Sequence, residues 1–188
     1  MVTRLAAAAV ALGASAVMAA GCSSTKSPAA VPSTVSSSAS STAPAQVSFN
    51  GIALDSAADL TAKPKVTARS ATAPAALLVK DVVAGTGTAA TPSSTVTVQY
   101  VGLRYADGKQ FDASWDHGGA VSFPLQQAMP AGFRQGIAGA SGTQPMKVGG
   151  RRIMILPAAL GYGRAGTPDG SIPPNAPIAF VVDLVAVK

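Results

Sequence analysis

The chain has 188 residues, 14 of them Lys or Arg and 8 Asp or Glu, for a formal charge of +6. That length suits one folded domain with accessory segments. The basic residues are scattered, with only Arg151 and Arg152 adjacent, which excludes a stripe built for nucleic acid; weak attraction to an anionic membrane surface is the better use of the charge. The lone cysteine, Cys22, excludes an internal disulfide, and no Cys/His cluster has metal-ligand spacing, so no metal or other cofactor is expected.

In chain order, Arg4 forms a short positive start, Leu5 to Ala20 is an uncharged run of small and apolar residues, and Met-Ala-Ala-Gly-Cys follows at 18–22. This is the pattern of a secretory signal over residues 1–21. The cysteine directly after it resembles the lipobox of bacterial lipoproteins, although Ala19 stands where that motif usually has Leu. The resemblance implies that Cys22 is acylated and becomes the first residue of an exported protein held at the outer face of the cell membrane. The alternative is a plain signal and a secreted product. A retained membrane helix fits less well, because alanine is only weakly apolar. Residues 22–48 are nearly all Ser, Thr, Ala and Pro, too poor in apolar side chains to offset the entropy of ordering, and read as a disordered tether. About 25 such residues would reach roughly 25–30 Å.

Residues 49–75 read as an N-terminal extension of the domain: Phe49, Ile52, Leu54 and Leu60 are its apolar anchors, and 63–69 suggests a short strand. The domain proper runs over 76–188. A strand around Leu77–Val83 ends at the glycine pair Gly85 and Gly87, which lacks the third glycine and helical pattern of a nucleotide loop. The stretch 96–116 reads as a hairpin: Val96, Val98 and Tyr100 share one face of the first arm, Asp107-Gly108 tolerates the positive φ of a tight turn, and the second arm delivers Phe111 and Asp112. A phenol, a ring and a carboxylate on one wall suit a small binding pocket.

Residues 116–125 read as a loop, and 132–139 as a short helical turn with Phe133 and Ile137 on one face. The run 141–145 is loop, Arg152–Leu156 an alternating strand, and the Gly/Pro-rich 161–177 a long loop. The last strand, 178–188, has Ile178, Phe180, Val182 and Leu184 on one face. Leu77, Val79, Val96, Val98, Ile153, Ile155, Val182 and Leu184 are read as core. The inventory predicts an α+β domain, an antiparallel sheet of five or six strands wrapped around one short helix.

The blocks VTVQYVG (96–102), DGKQFDASWD (107–116), GFRQGIAG (132–139), MKVGGRR (146–152), LGYG (160–163) and SIPPNAPIAFVVDL (171–184) occur in an order and spacing that resemble the FKBP-type peptidyl-prolyl cis-trans isomerases. The resemblance implies rotation of Xaa-Pro bonds in an aromatic pocket. It assigns Tyr100, Phe111, Asp112, Phe133, Tyr162 and Phe180 to catalysis, and Val121, Phe123, Met129, Pro130 and Ile172 to substrate contact. It also implies a monomer whose partners are proline-containing polypeptides outside the cytoplasm and rapamycin-type macrolides. The sequence departs from the family's pattern at several places. Phe133 stands for the usual Trp, Val121 for a frequent Phe, Met129-Pro130 for a pair that supplies a backbone donor, and His117 for an Arg that braces the carboxylate, while 141–145 looks inserted. In this reading Tyr162 holds a substrate carbonyl, Asp112 orients, and His117 is a surface bystander, so turnover is expected to be flat in pH. A prolyl-peptide-binding or chaperone module with little catalysis is the competing class; a structural domain with a filled pocket is another.

Overall fold

The computed structural model describes residues 46–68, 72–140 and 142–188. The expected signal, Cys22 and nearly all of the tether lie outside the described residues. Strands β1 (Val47–Phe49), β2 (Ile52–Asp55) and β3 (Lys65–Ala68) form a three-stranded antiparallel sheet. Strands β4 (Leu78–Val83), β5 (Thr95–Arg104), β6 (Gln110–Ala113), β8 (Gly150–Leu156) and β9 (Ile178–Val187) make the main sheet in the order β4-β8-β9-β5-β6. Strand β7 (Val121–Pro124) also pairs with β5. Every pairing is antiparallel. Helix α1 (Ala131–Ala138) lies against β8. The expected α+β class is what the chain adopts.

The main sheet is covered on both faces. On one, Val96, Val98, Leu156, Ile178, Val182 and Leu184 pack with Phe133 and Ile137 of α1. The helix sits close because a Cβ on Gly136 would overlap the Met154 sulfur. On the other face Ile153, Ile155, Ala179 and Val181 meet Ile52 and Leu54 of the small sheet. Ile153 and Ile155 are core, as expected, but of this second layer, which the sequence reading does not anticipate. Two side chains bolt the layers together: the Tyr105 hydroxyl donates to the Asn50 carbonyl at 2.6 Å, and Arg151 Nη1 donates to the Ala57 carbonyl at 3.3 Å.

Three local expectations are corrected. Val47 and Ser48 belong to β1, not to the tether. The β1–β2 hairpin turns at Asn50-Gly51, whose φ values of 42° and 80° are those of a two-residue primed turn. Residues 121–124 form strand β7 rather than loop, held by pairing with Thr95–Val98. Strand β8 is buried along its whole length and does not alternate. Arg151 and Arg152, neighbours on that strand, therefore point to opposite buried faces. Arg151 grips Asp183 through Nε and Nη2, both at 2.6 Å, and Arg152 grips Asp81 at 2.6 and 2.9 Å. Neither is available to a membrane surface. Burial raises the Asp183 carboxyl above its ordinary range, and the facing guanidinium opposes that rise. Among the described residues no helix is long and apolar enough to cross a membrane.

Candidate active site

Strand β5 is the spine of the site. One edge pairs with β9 along its length; the other is shared, with β7 on Thr95–Val98 and β6 on Val101–Leu103. The chain leaves that edge after Ala113 for a 3-10 turn, Ser114–His117. Buried Ser114 fills the gap. Its hydroxyl accepts from the Tyr100 N–H at 2.9 Å and donates to the Gln99 side-chain oxygen at 2.6 Å. Tyr100 is thus fixed where the strand would otherwise have an unpaired amide.

Phe111 and Asp112 are sequence neighbours, which on a regular strand would face opposite sides of the sheet. Here the β5–β6 register slips: Gly102 opposes Asp112 and Leu103 opposes Gln110, leaving Phe111 as the extra residue of a bulge. A bulge sets two residues against one and turns both toward one side, so ring and carboxylate enter the same cavity. The position opposite must be glycine, since a Cβ at Gly102 would stand 2.7 Å from the Phe111 ring and 2.9 Å from that of Phe180.

The cavity measures about 330 Å³ and is lined by Tyr100, Phe111, Asp112, Val121, Phe123, Met129, Phe133, Tyr162 and Phe180. Phe180 is the hub. Its ring centroid lies 5.0 Å from Phe133, 5.6 Å from Phe111 and 6.2 Å from Tyr100, each edge-on. Edge-to-face contacts suit the ring quadrupoles and hold the walls without filling the space between them. Phe133 reaches the floor from α1, and Tyr162 closes one side, 6.5 Å from Phe111. Of the residues expected from sequence, Ile172 and Pro130 are not in the lining. Ile172 is 1% exposed and belongs to the core, its N–H bonded to the Thr167 hydroxyl. Pro130 is the residue preceding α1. Met129, 70% exposed, stands at the rim. Gln127 and Ala128 line the cavity but were missed, because the short 3-10 turn Leu125–Gln127 that aims them has no periodic signature.

The polar groups form a chain. The Tyr100 hydroxyl donates to Asp112 Oδ2 at 2.6 Å, and His117 Nε2 lies 2.9 Å from Asp112 Oδ1. His117 is a surface residue, as expected, but the 3-10 turn that carries it brings its imidazole against Asp112. Burial first, then the Asp112 hydrogen bond and charge, hold the Tyr100 phenol far above its ordinary pKa, so it stays a donor. Tyr162 is raised as well, by burial and then by the Asp112 charge, and its hydroxyl has no partner among the described residues. The arrangement offers an apolar box, one protonated phenol facing inward, and a carboxylate already occupied by two donors. It has no exposed nucleophile poised beside a base.

The model of the FKBP-type peptidyl-prolyl cis-trans isomerase family matches residues 86–185, and the chain belongs to that family. It is a peptidyl-prolyl cis-trans isomerase. An FK506-binding protein of Streptomyces anulatus is 46% identical over 126 residues, covering 66% of this chain and 97% of that protein. A probable FK506-binding protein of Corynebacterium glutamicum is 37% identical, covering 66% and 98%. Among solved structures, AtFKBP13 superposes with a TM-score of 0.57 at 31% identity, covering 62% of this chain and 96% of that one. Strands β1 to β4 precede the segment that the family model matches.

Proposed function

We propose that this isomerase acts on Xaa-Pro bonds of polypeptides outside the cytoplasm, as a monomer tethered to the outer face of the membrane through a lipid on Cys22. The signal-like start, the lone cysteine after it and the Ser/Thr/Ala/Pro run before the domain support the address. The cavity of six aromatic side chains, one of them with a free phenol hydroxyl, carries the mechanism.

Amide resonance sets a barrier of ~18–20 kcal/mol to rotation about the bond before proline. Twisting that bond breaks the resonance and reduces charge separation, so the twisted amide depends less on water than the planar one. Phe111, Phe133, Tyr162 and Phe180 receive the proline ring in a dry setting that favours the twisted form. Each tenfold gain in rate needs about 1.4 kcal/mol of such differential binding. The Tyr162 hydroxyl donates to a substrate carbonyl and fixes its direction. Asp112 orients and transfers no proton. The same box accepts rapamycin-type macrolides, in competition with peptide.

A proline-peptide isomerisation assay with and without such a macrolide tests the site: turnover abolished stoichiometrically by the macrolide is expected, and turnover indifferent to it counts against this cavity. Binding without turnover would favour a prolyl-peptide-binding module, toward which Phe133 and the N–H-less Pro130 point. For the address, a fatty-acid analogue fed to a bacterial host should label the protein. Cys22→Ala should lose the label and release the domain to the medium; an unlabelled, full-length cytoplasmic product would end that reading.

A further inference from the structure

One contact of the polar wall has no part in the rotation described above, namely the imidazole of His117 on Asp112. The carboxylate is half-buried at the edge of an apolar box and is held at both oxygens, by Tyr100 on Oδ2 and by His117 on Oδ1. Torsion about the bond carrying a carboxylate is broad. A carboxylate gripped at one oxygen only can swing toward water and take the acceptor of the Tyr100 hydroxyl with it. The second grip therefore sets where the polar wall stands when a peptide enters.

We propose that His117 is a positioning residue that makes this isomerase proton-sensitive, turning over faster when the imidazole is charged. The inference rests on the cavity being the isomerase site. An imidazolium donates a charge-assisted hydrogen bond to a carboxylate, about twice as strong as that from a neutral donor, and an imidazole ordinarily changes charge between about pH 5 and 8. His117 is 66% exposed, so bulk protons reach it directly.

The backbone under His117 is fixed independently of its charge. Ser114 anchors the start of the 3-10 turn on β5, and Asp116 is bonded at 2.6 Å to Lys63, ahead of β3, and at 2.7 Å to Gln110 of β6. The ionisable groups around the imidazole are thus Asp112 on β6, Asp116 on its own turn with Lys63 paired to it, and, beyond Asp112, Tyr100 on β5 and Tyr162 on the long loop. Lys63 and Gln110 bonds hold the Asp116 carboxyl below its ordinary range, and both tyrosines are held above theirs.

The test is kcat/KM against pH from about 5.5 to 8.5, with a substrate free of ionisable groups, for the natural protein, His117→Ala and His117→Arg. The natural protein should be about two- to fivefold faster at the acid end, the scale of an exposed ion pair. His117→Arg, always charged, should be flat near the upper level, and His117→Ala flat near the lower one. A flat profile in the natural protein, or a slope that survives in His117→Ala, would each overturn the proposal. Turnover that persists in all three proteins while the profile is flat refutes the role of His117 alone. Absence of turnover in all three refutes the cavity's assignment with it.

Discussion

A methyl group at position 102 would press on the Phe111 and Phe180 rings together, at 2.7 and 2.9 Å. Gly102→Ala should therefore move two walls of the box at once. It should cost about 1–3 kcal/mol in urea unfolding, the usual penalty of overpacking, and at least tenfold in kcat/KM. Phe111→Ala and Tyr162→Phe separate the contributions of ring and hydroxyl. Loss of the Phe111 ring removes packing around the twisted amide and should lower kcat/KM tenfold or more, about 1.4 kcal/mol. Loss of the Tyr162 hydroxyl removes one hydrogen bond, about 0.5–1.5 kcal/mol, and should be milder. A steady-state comparison in which Tyr162→Phe is the more damaged enzyme would shift the weight from apolar walls to the phenol. Asp112→Asn keeps an acceptor for Tyr100 and should impair turnover without abolishing it.

The β1–β3 layer and the aromatic cavity lie on opposite faces of the main sheet, so damage to one can be separated from damage to the other. Leu54→Ala, at a fully buried position of β2, should lose about 2–5 kcal/mol of stability with kcat/KM unchanged while the protein is folded. Asp183→Ala strands the Arg151 guanidinium between the layers and should lose about 3–5 kcal/mol, again read by urea unfolding. The hairpin and the helix were legible in the sequence because alternation and i, i+4 spacing carry them, whereas most of the aromatic walls were legible only through the resemblance of their sequence blocks to a known family. The β1–β2 hairpin was legible but unread: Asn50-Gly51 between Val47, Phe49 and Ile52, Leu54 is a strong hairpin signal. Strand β7 was not legible, since Val121–Pro124 is too short for a period to show and owes its form to pairing with β5. The Phe111 bulge is likewise a property of register, and no local pattern announces it. The contact of His117 with Asp112 and the burial of Ile172 escaped the sequence for one reason: the direction in which a loop turns its side chains is decided by anchors elsewhere, Ser114 and Asp116 for the first, the Thr167 hydroxyl for the second.

All three tyrosines of the chain, Tyr100, Tyr105 and Tyr162, have hydroxyls held above the ordinary phenol range, burial being the first cause in each. In the unfolded chain they ionise near pH 10. Above that pH the folded protein binds more protons than the unfolded one, so stability falls as pH rises, while below it these groups contribute no slope. Urea midpoints should be insensitive to the phenols up to about pH 9.5 and decline beyond about pH 10. The tyrosinate absorbance of the folded protein should appear later in an alkaline titration than that of the unfolded chain; coincident curves would contradict the buried hydroxyls. The chain also has a single tryptophan, Trp115, which packs on Val101, Leu103 and Ala113 of the main sheet, the cluster on which Val66 of β3 also packs, its indole N–H enclosed without an acceptor among the described residues. The floor of the cavity, by contrast, is a phenylalanine. The one strong emitter in the molecule therefore views the seam between the two sheets from outside the aromatic box. Its fluorescence will follow the docking of β3 and stay silent when a prolyl ligand fills the box, a built-in optical gauge of the scaffold that is blind to its cargo.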